Sequence, residues 1–365
     1  MAENENKTSV NEMVLPYKVR EDGVKIFESS SFGTVTEGYN EEKNLNIRLV
    51  SDKKVNKGYS IIGVKDNEQS NNWKAWLYLA PVLILMAVFL IYPLIDTIVI
   101  SFLKGYNYLD GSFTGVTFTN FGKVLGLVDI NGAYEVNFMK YAVPNTFIIV
   151  FVTVPLSIVI AILISVGLNQ LKWFQKILQT IFFLPYVTNT IAIGMAFSLL
   201  FDQQGLINYI FGIDTVWIYG ASRWTAMVPL CLYIIWGSIP FKILVFLSGL
   251  QGIDKQYYQA AKIDATRKSK ILWKITVPLL SPQILYIMIT SFIGAFKEYS
   301  SVVGLFNGPG TTNGTYEMYT VVYYIYENIG PSTVSLAAAA AVMLFLVILI
   351  FTLFQNWVSK KRVYY

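Results

Sequence analysis

The sequence predicts an all-α protein that crosses a bilayer several times, and three observations predict it. Six stretches are long and apolar enough to span hydrocarbon, which takes about 20 helical residues. Apolar and aromatic residues make up 54% of the 365-residue chain and charged ones only 14%, where a soluble domain carries about 25% charged residues. The basic residues that remain gather in one set of loops, the asymmetry that orients membrane proteins.

In chain order, residues 1–72 come first. Mixed charge and low apolar content predict a polar, disordered or loosely structured tail. Short alternating pieces at Lys25–Glu28 and Asn46–Val50 are the ones able to pair as strands. Gly58, Gly63 and Lys65 imitate the spacing of a phosphate loop, but Val64 stands where its lysine belongs, so no nucleotide site is encoded there.

The membrane domain is expected over 73–365, with spans at about 77–101, 141–167, 178–201, 226–250, 283–305 and 333–356. Residues 75–95, 141–171, 177–201, 224–241, 275–296 and 328–359 hold no Asp, Glu, Lys or Arg. With the N-terminus in the cytoplasm, sixteen Lys/Arg near span ends fall inside, among them Lys65, Lys74, Lys172, Lys176, Lys360, Lys361 and Arg362. Only Lys104, Lys123, Lys140 and Arg223 fall outside. Both termini are therefore expected in the cytoplasm. Cys231 is the single cysteine and there is no histidine, so a disulfide framework and the commonest metal ligand are both missing. No cofactor and no nucleic-acid partner are expected.

The loop at 251–282 differs from every other connection. It is basic (Lys255, Lys262, Arg267, Lys268, Lys270, Lys274), and Asp254 is placed to cap a helix. On that helix Tyr257, Ala260, Ala261 and Asp264 share a face, and the two alanines let another surface approach closely. Pro278 and Pro282 mark the bend into the next span. This is the pattern of a docking element.

QAAKIDA followed by WKITVPLLSP resembles the "EAA" loop of permease subunits in binding-protein-dependent ABC importers. Ala260, Ala261, Asp264, Thr276, Pro278, Leu280 and Pro282 match it, with Trp273 at its aromatic position. Gln259 stands in place of the family acid, Ala265 of its glycine and Thr266 of its last alanine. The resemblance continues through FLPYVTNT with its downstream GLIN, through IIWGSIPFKILVFLSGLQGI, and through LFNGPG with the later YYIYENIG. It covers about 75–360 and is similar to the carbohydrate-uptake class, in particular the larger maltose-type subunit.

The resemblance implies the type I importer permease fold of six transmembrane helices with a cytoplasmic coupling helix. It implies a multi-pass protein of the bacterial plasma (inner) membrane that forms the path for a sugar or oligosaccharide. The implied partners are a second permease subunit, an ATPase dimer that performs the hydrolysis, an extracellular solute-binding protein, the sugar and membrane lipid. The chain itself would then be no enzyme. Tyr258, Gln259, Ala260, Ala261, Asp264, Ala265 and Pro278 would couple it to the ATPase.

For the substrate path the residues offer two clusters. Tyr233, Trp236, Ser238 and Phe241 lie midway down span four beside Pro240, and Lys297, Glu298 and Tyr299 interrupt span five. Rings stack on sugar faces and polar groups take hydroxyls, and ionisable residues inside spans mark translocation paths. Lys242 is expected to snorkel or to pair with a partner subunit, and Ala337–Ala341 to pack across a dimer. The competing class, a secondary transporter driven by an ion gradient, needs an inverted repeat or a buried Asp/Glu/His relay, and neither is evident in the sequence.

Overall fold

The computed structural model describes residues 17–19, 24–29, 33–38, 72–130, 133–134, 137–171, 175–307 and 317–359. They fall into two compact units, 1–90 and 91–365. In the first, β1 (Tyr17–Val19), β2 (Val24–Ser29) and β3 (Gly33–Gly38) form an antiparallel meander in the order β1-β2-β3. Lys25–Glu28, in the tail expected to be disordered or loosely structured, lies inside β2 and pairs with both neighbours. Asn46–Val50 lies outside the described residues.

Helix α1 (Asn72–Met86) passes through a π turn into α2 (Tyr92–Phe102), and Trp76–Phe102 is one apolar run long enough to cross a membrane. Short strands β4 (Leu103–Lys104) and β5 (Gly115–Val116) pair beyond it, followed by α3 (Thr119–Val124) and the pair β6 (Asp129–Ile130) and β7 (Ala133–Tyr134). The long helices α4 (Val143–Gln170), α8 (Arg223–Gly252) and α15 (Val334–Ser359) are the second, fourth and sixth expected spans. Helix α8 runs on through Pro229 and Pro240.

Two expected spans are broken. The third is α5 (Gln175–Val187) and α6 (Thr190–Leu200), interrupted where Asn189 turns to an extended conformation and its side chain accepts from the amides of Ile191 and Ala192. A capping asparagine starts a new helix, so the old one ends there. A short α7 (Leu206–Phe211) follows, with Gly212 left-handed behind it. The fifth is α12 (Ser281–Phe296) and α13 (Ser300–Phe306), with Lys297, Glu298 and Tyr299 in the break. Uncharged length therefore overstates continuity at the third span, where Asn189 caps inside the run, whereas the fifth breaks where its uncharged run ends, at Phe296.

Helices α4 and α8 run parallel. Asn145 meets Arg223 near one end, and Ser165 meets the Ile243 carbonyl twenty residues further along both. Ile149, Leu230, Val302 and Leu305 make the core at one end. Val154, Ile158, Phe246, Leu247, Ile287 and Phe296 make the core toward the other. In a third core, Ala339 and Ala340 lie against Val124, Phe138, Tyr319 and Tyr324. The alanine stripe thus packs inside the chain rather than across a dimer, because α14 (Val321–Glu327), α3 and α2 occupy the space that small side chains leave. On α8 the apolar residues Trp224, Val228, Leu232 and Trp236 repeat every four positions and stay exposed. That ridge has no cover within the described residues.

Candidate functional site

The docking loop is a capped hairpin. Asp254 Oδ1 accepts from the Gln256 amide at 2.9 Å and begins α9 (Lys255–Ile263). Its far end closes through two bonds, Ala265 N to Lys262 O at 3.1 Å and Thr266 N to Ala261 O at 2.9 Å. That is a Schellman closure, and it places its pivot residue in the left-handed region. Ala265 occupies the pivot with φ +48°, where the resemblance puts a glycine. The departure therefore falls at the position where glycine costs least.

Of the expected face, Ala261 is buried against the chain while Tyr257, Ala260 and Asp264 are exposed, as is Gln259. Tyr258 turns inward and its hydroxyl lies 3.3 Å from that of Thr276. The hairpin returns through α10 (Lys268–Ile271), a π turn at Leu272–Thr276 and α11 (Val277–Leu279), with Pro278 at its start. The segments Lys268–Leu279 and Ser281–Phe296 meet at 70°, and fully buried Leu280 stands between Pro278 and Pro282 at the corner. The two prolines do flank the bend. The arrangement leaves a short polar helix, anchored by Tyr258 and Ala261, with its outer face open.

The path residues divide. The Tyr233 hydroxyl donates to the Thr190 carbonyl, tying α8 to the first turn of α6, and it faces Glu298 and Ser301. Glu298 Oε1 accepts from the Ser301 amide at 3.0 Å, so the carboxylate caps α13. Its own carbonyl accepts from Thr320 Oγ1 at 2.9 Å. Trp236 is 41% exposed and shares Phe197 with Tyr233, at ring separations of 5.3 and 5.0 Å. Ser238 is turned back on its own helix, donating to Ile235 O at 2.9 Å. Phe241 stacks on Tyr186 at 5.8 Å and 16°. Lys297 is exposed, and Tyr299 stands in a cluster with Tyr323 and Tyr326.

Tyr233, Trp236 and Glu298 are thus brought to one place, where both broken spans restart. Phe241 lies apart, beside Tyr186. Lys242 does not snorkel: it is 4% exposed and makes no hydrogen bond or ion pair among the described residues.

Sequence reasoning missed what holds this place together. Helices α6 and α13 cross backbone to backbone, since a Cβ on Gly194 would stand 2.6 Å from the Gly304 carbonyl carbon. A lone glycine in an apolar run signals such an approach but does not name its partner. Beyond the crossing, Asn145 donates to the carbonyls of Glu317 and Tyr319 at 2.6 and 2.9 Å and accepts from Arg223 Nε at 2.9 Å. Thr146 Oγ1 accepts from Val321 N at 3.1 Å. These bonds fasten the segment before α14 to α4. The NGPG residues 307–310 extend past Asn307 outside the described residues.

The family model for the binding-protein-dependent transport system inner membrane component matches residues 153–364. The lactose transport system permease protein LacF of Rhizobium radiobacter is 27% identical over 295 residues, covering 79% of this chain and 94% of that protein. The arabinooligosaccharides transport system permease protein AraP of Bacillus subtilis is 29% identical over 301 residues, covering 80% of this chain and 90% of its own. A crystal structure of a bacterial ABC transporter that imports the acidic polysaccharide alginate aligns with a TM-score of 0.66 at 20% identity, over 80% of this chain and 97% of the other.

Proposed function

We propose, from the premise that the chain belongs to the family of binding-protein-dependent transport system inner membrane components, that it forms one half of the path by which an ABC importer takes up a sugar or oligosaccharide. The observation that carries the reading is the docking hairpin: a capped helix with an open polar face, joined to the path helix α12 through a 70° corner. Sugar as the substrate class rests on relatives whose names speak of lactose and of arabinooligosaccharides.

In the proposed mechanism an extracellular binding protein delivers its ligand to the end of the bundle that carries Arg223 and the segment before α14. The sugar passes Tyr233, Trp236 and Glu298. Trp236 offers a ring face, and the rest of the exposed α8 ridge, Trp224, Val228 and Leu232, gives the second permease subunit its place. The α9 face of Gln259, Ala260 and Asp264 seats on a separate ATPase, whose closure is transmitted through Leu280 into α12. Hydrolysis belongs to that ATPase, and the chain performs no chemistry of its own. On this reading α9 and both termini lie in the cytoplasm of a bacterial cell, an orientation that the sixteen basic residues gathered on that side support.

The test is uptake by the reconstituted complex in vesicles supplied with ATP and no ion gradient. Sugar accumulation under those conditions is the expected result. Uptake that needs an ion gradient and ignores ATP would replace the reading with a secondary transporter.

A further inference from the structure

A cleft of about 640 Å3 opens where the last turns of α8 meet α9 and the start of α12. That lies within the about 300–1,000 Å3 usual for small-molecule sites. Its wall includes Leu244, Ser248, Asp254, Tyr257, Leu279 and Gln283. None of these belongs to the path at Tyr233, Trp236 and Glu298.

Three of its groups are unused. The Gln283 amide oxygen is sealed from solvent with no hydrogen-bond partner, an arrangement native structures seldom leave in place. Its stem is pinned: the Gln283 side-chain carbons lie so close to Gly249 that a Cβ there would stand 2.9 Å away. The same side chain lines the cleft, where an amide can both donate and accept. Ser157, Ser165 and Ser238 each donate to a carbonyl of their own helix, whereas Ser248 makes no hydrogen bond among the described residues. The Tyr257 ring, in the first turn of α9, is 54% exposed. An aromatic face beside an amide, a hydroxyl and the Asp254 carboxylate is a set that takes a polyhydroxylated ring.

We infer that this cleft is a second sugar site on the docking side of the chain, through which released sugar slows further transport. The inference rests on the sugar-permease reading above. Ser248 belongs to α8, Asp254 and Tyr257 to the docking helix, and Gln283 to the helix beyond the corner. A sugar bridging them ties the hairpin to the bundle. It favours whichever conformation keeps the cleft at this width, and a ligand shifts an equilibrium only by such a difference in affinity.

The experiment uses the whole reconstituted complex in vesicles whose lumen stands for the cytoplasm, with ATP inside. The vesicles are either empty of sugar or preloaded with lactose or arabinobiose. Wild type should take up its sugar into empty vesicles and slow about fivefold or more when preloaded. Gln283→Leu and Ser248→Ala should both take up sugar at the wild-type rate when empty and lose the slowing. Normal uptake with no effect of preloading, as when the second subunit fills the cleft, overturns this inference alone. Slowing that persists in both variants assigns the inhibition to the central path and also overturns it. Absence of uptake of either sugar into empty vesicles defeats the sugar reading, and this inference with it.

Discussion

The docking hairpin and the α6–α13 crossing are both places where a helix stops and another begins, but they are held in different ways. The hairpin is closed by near neighbours: Asp254 caps Gln256, and Ala265 and Thr266 close on Lys262 and Ala261. The crossing joins residues far apart in the chain, Gly194 to Gly304 and Tyr233 to Thr190, with Glu298 capping Ser301 between them. One is exposed and adjustable, as a surface that meets a partner must be. The other has no spare volume, as befits a joint that keeps two half-helices at a fixed separation.

Substitution should separate the two. The largest effect is expected at the crossing. Gly194→Val drives a branched side chain into the Gly304 backbone, and overpacking of this kind costs about 1–3 kcal/mol or more. The thermal midpoint of the solubilised complex should fall by several degrees, and uptake with it. Gly167→Ala serves as the control, since nothing lies within 4 Å of the added Cβ, and should leave the midpoint unchanged or raise it. Equal midpoints for the two variants would mean that the backbone contact carries no stability.

Next comes the hairpin face. Asp264→Ala should lower ATP-driven uptake strongly, while Gln259→Ala is milder, because a neutral amide gives up a weaker contact than a carboxylate. Uptake and ATPase co-purification that survive both substitutions would detach this face from coupling. Asp254→Ala removes a cap worth about 1 kcal/mol, so backbone amides in the first turn of α9 should exchange hydrogen severalfold faster, with the rest of the hairpin unaltered. The smallest effect is a gain. Ala265→Gly relieves a left-handed alanine, worth about 1 kcal/mol, and should slow exchange at Thr266. Faster exchange there would contradict the closure.

The same contrast explains what was legible in the sequence. Asp254, Ala261, Pro278 and Pro282 announced the hairpin because each acts over a few residues, through a cap, a small face or a fixed φ. The long spans at α1–α2, α4, α8 and α15 were legible from apolar length. The break at Asn189 was not, because an uncharged run does not report where a polar cap interrupts it, while Lys297 and Glu298 marked the interruption of span five but not the new helix at Ser300. Glu298 stood out as a buried acid, but its bond to the Ser301 amide depends on the chain turning back at Tyr299. The partners of Gly194, Asn145 and Ala337–Ala340 depend on tertiary packing that single-sequence periodicity does not encode. For that reason the alanine stripe was assigned to a dimer and is found inside the chain.

The central claim is that the open face of α9 meets the ATPase. Cys231 is buried, so a thiol introduced on the surface is the one that reacts. Ala260→Cys on that face and Leu109→Cys, in the exposed loop between β4 and β5, each receive a thiol-reactive photocrosslinker in the assembled complex. A cross-link to the ATPase is expected from position 260 and none from position 109. A cross-link to the ATPase from 109 with none from 260 would contradict it.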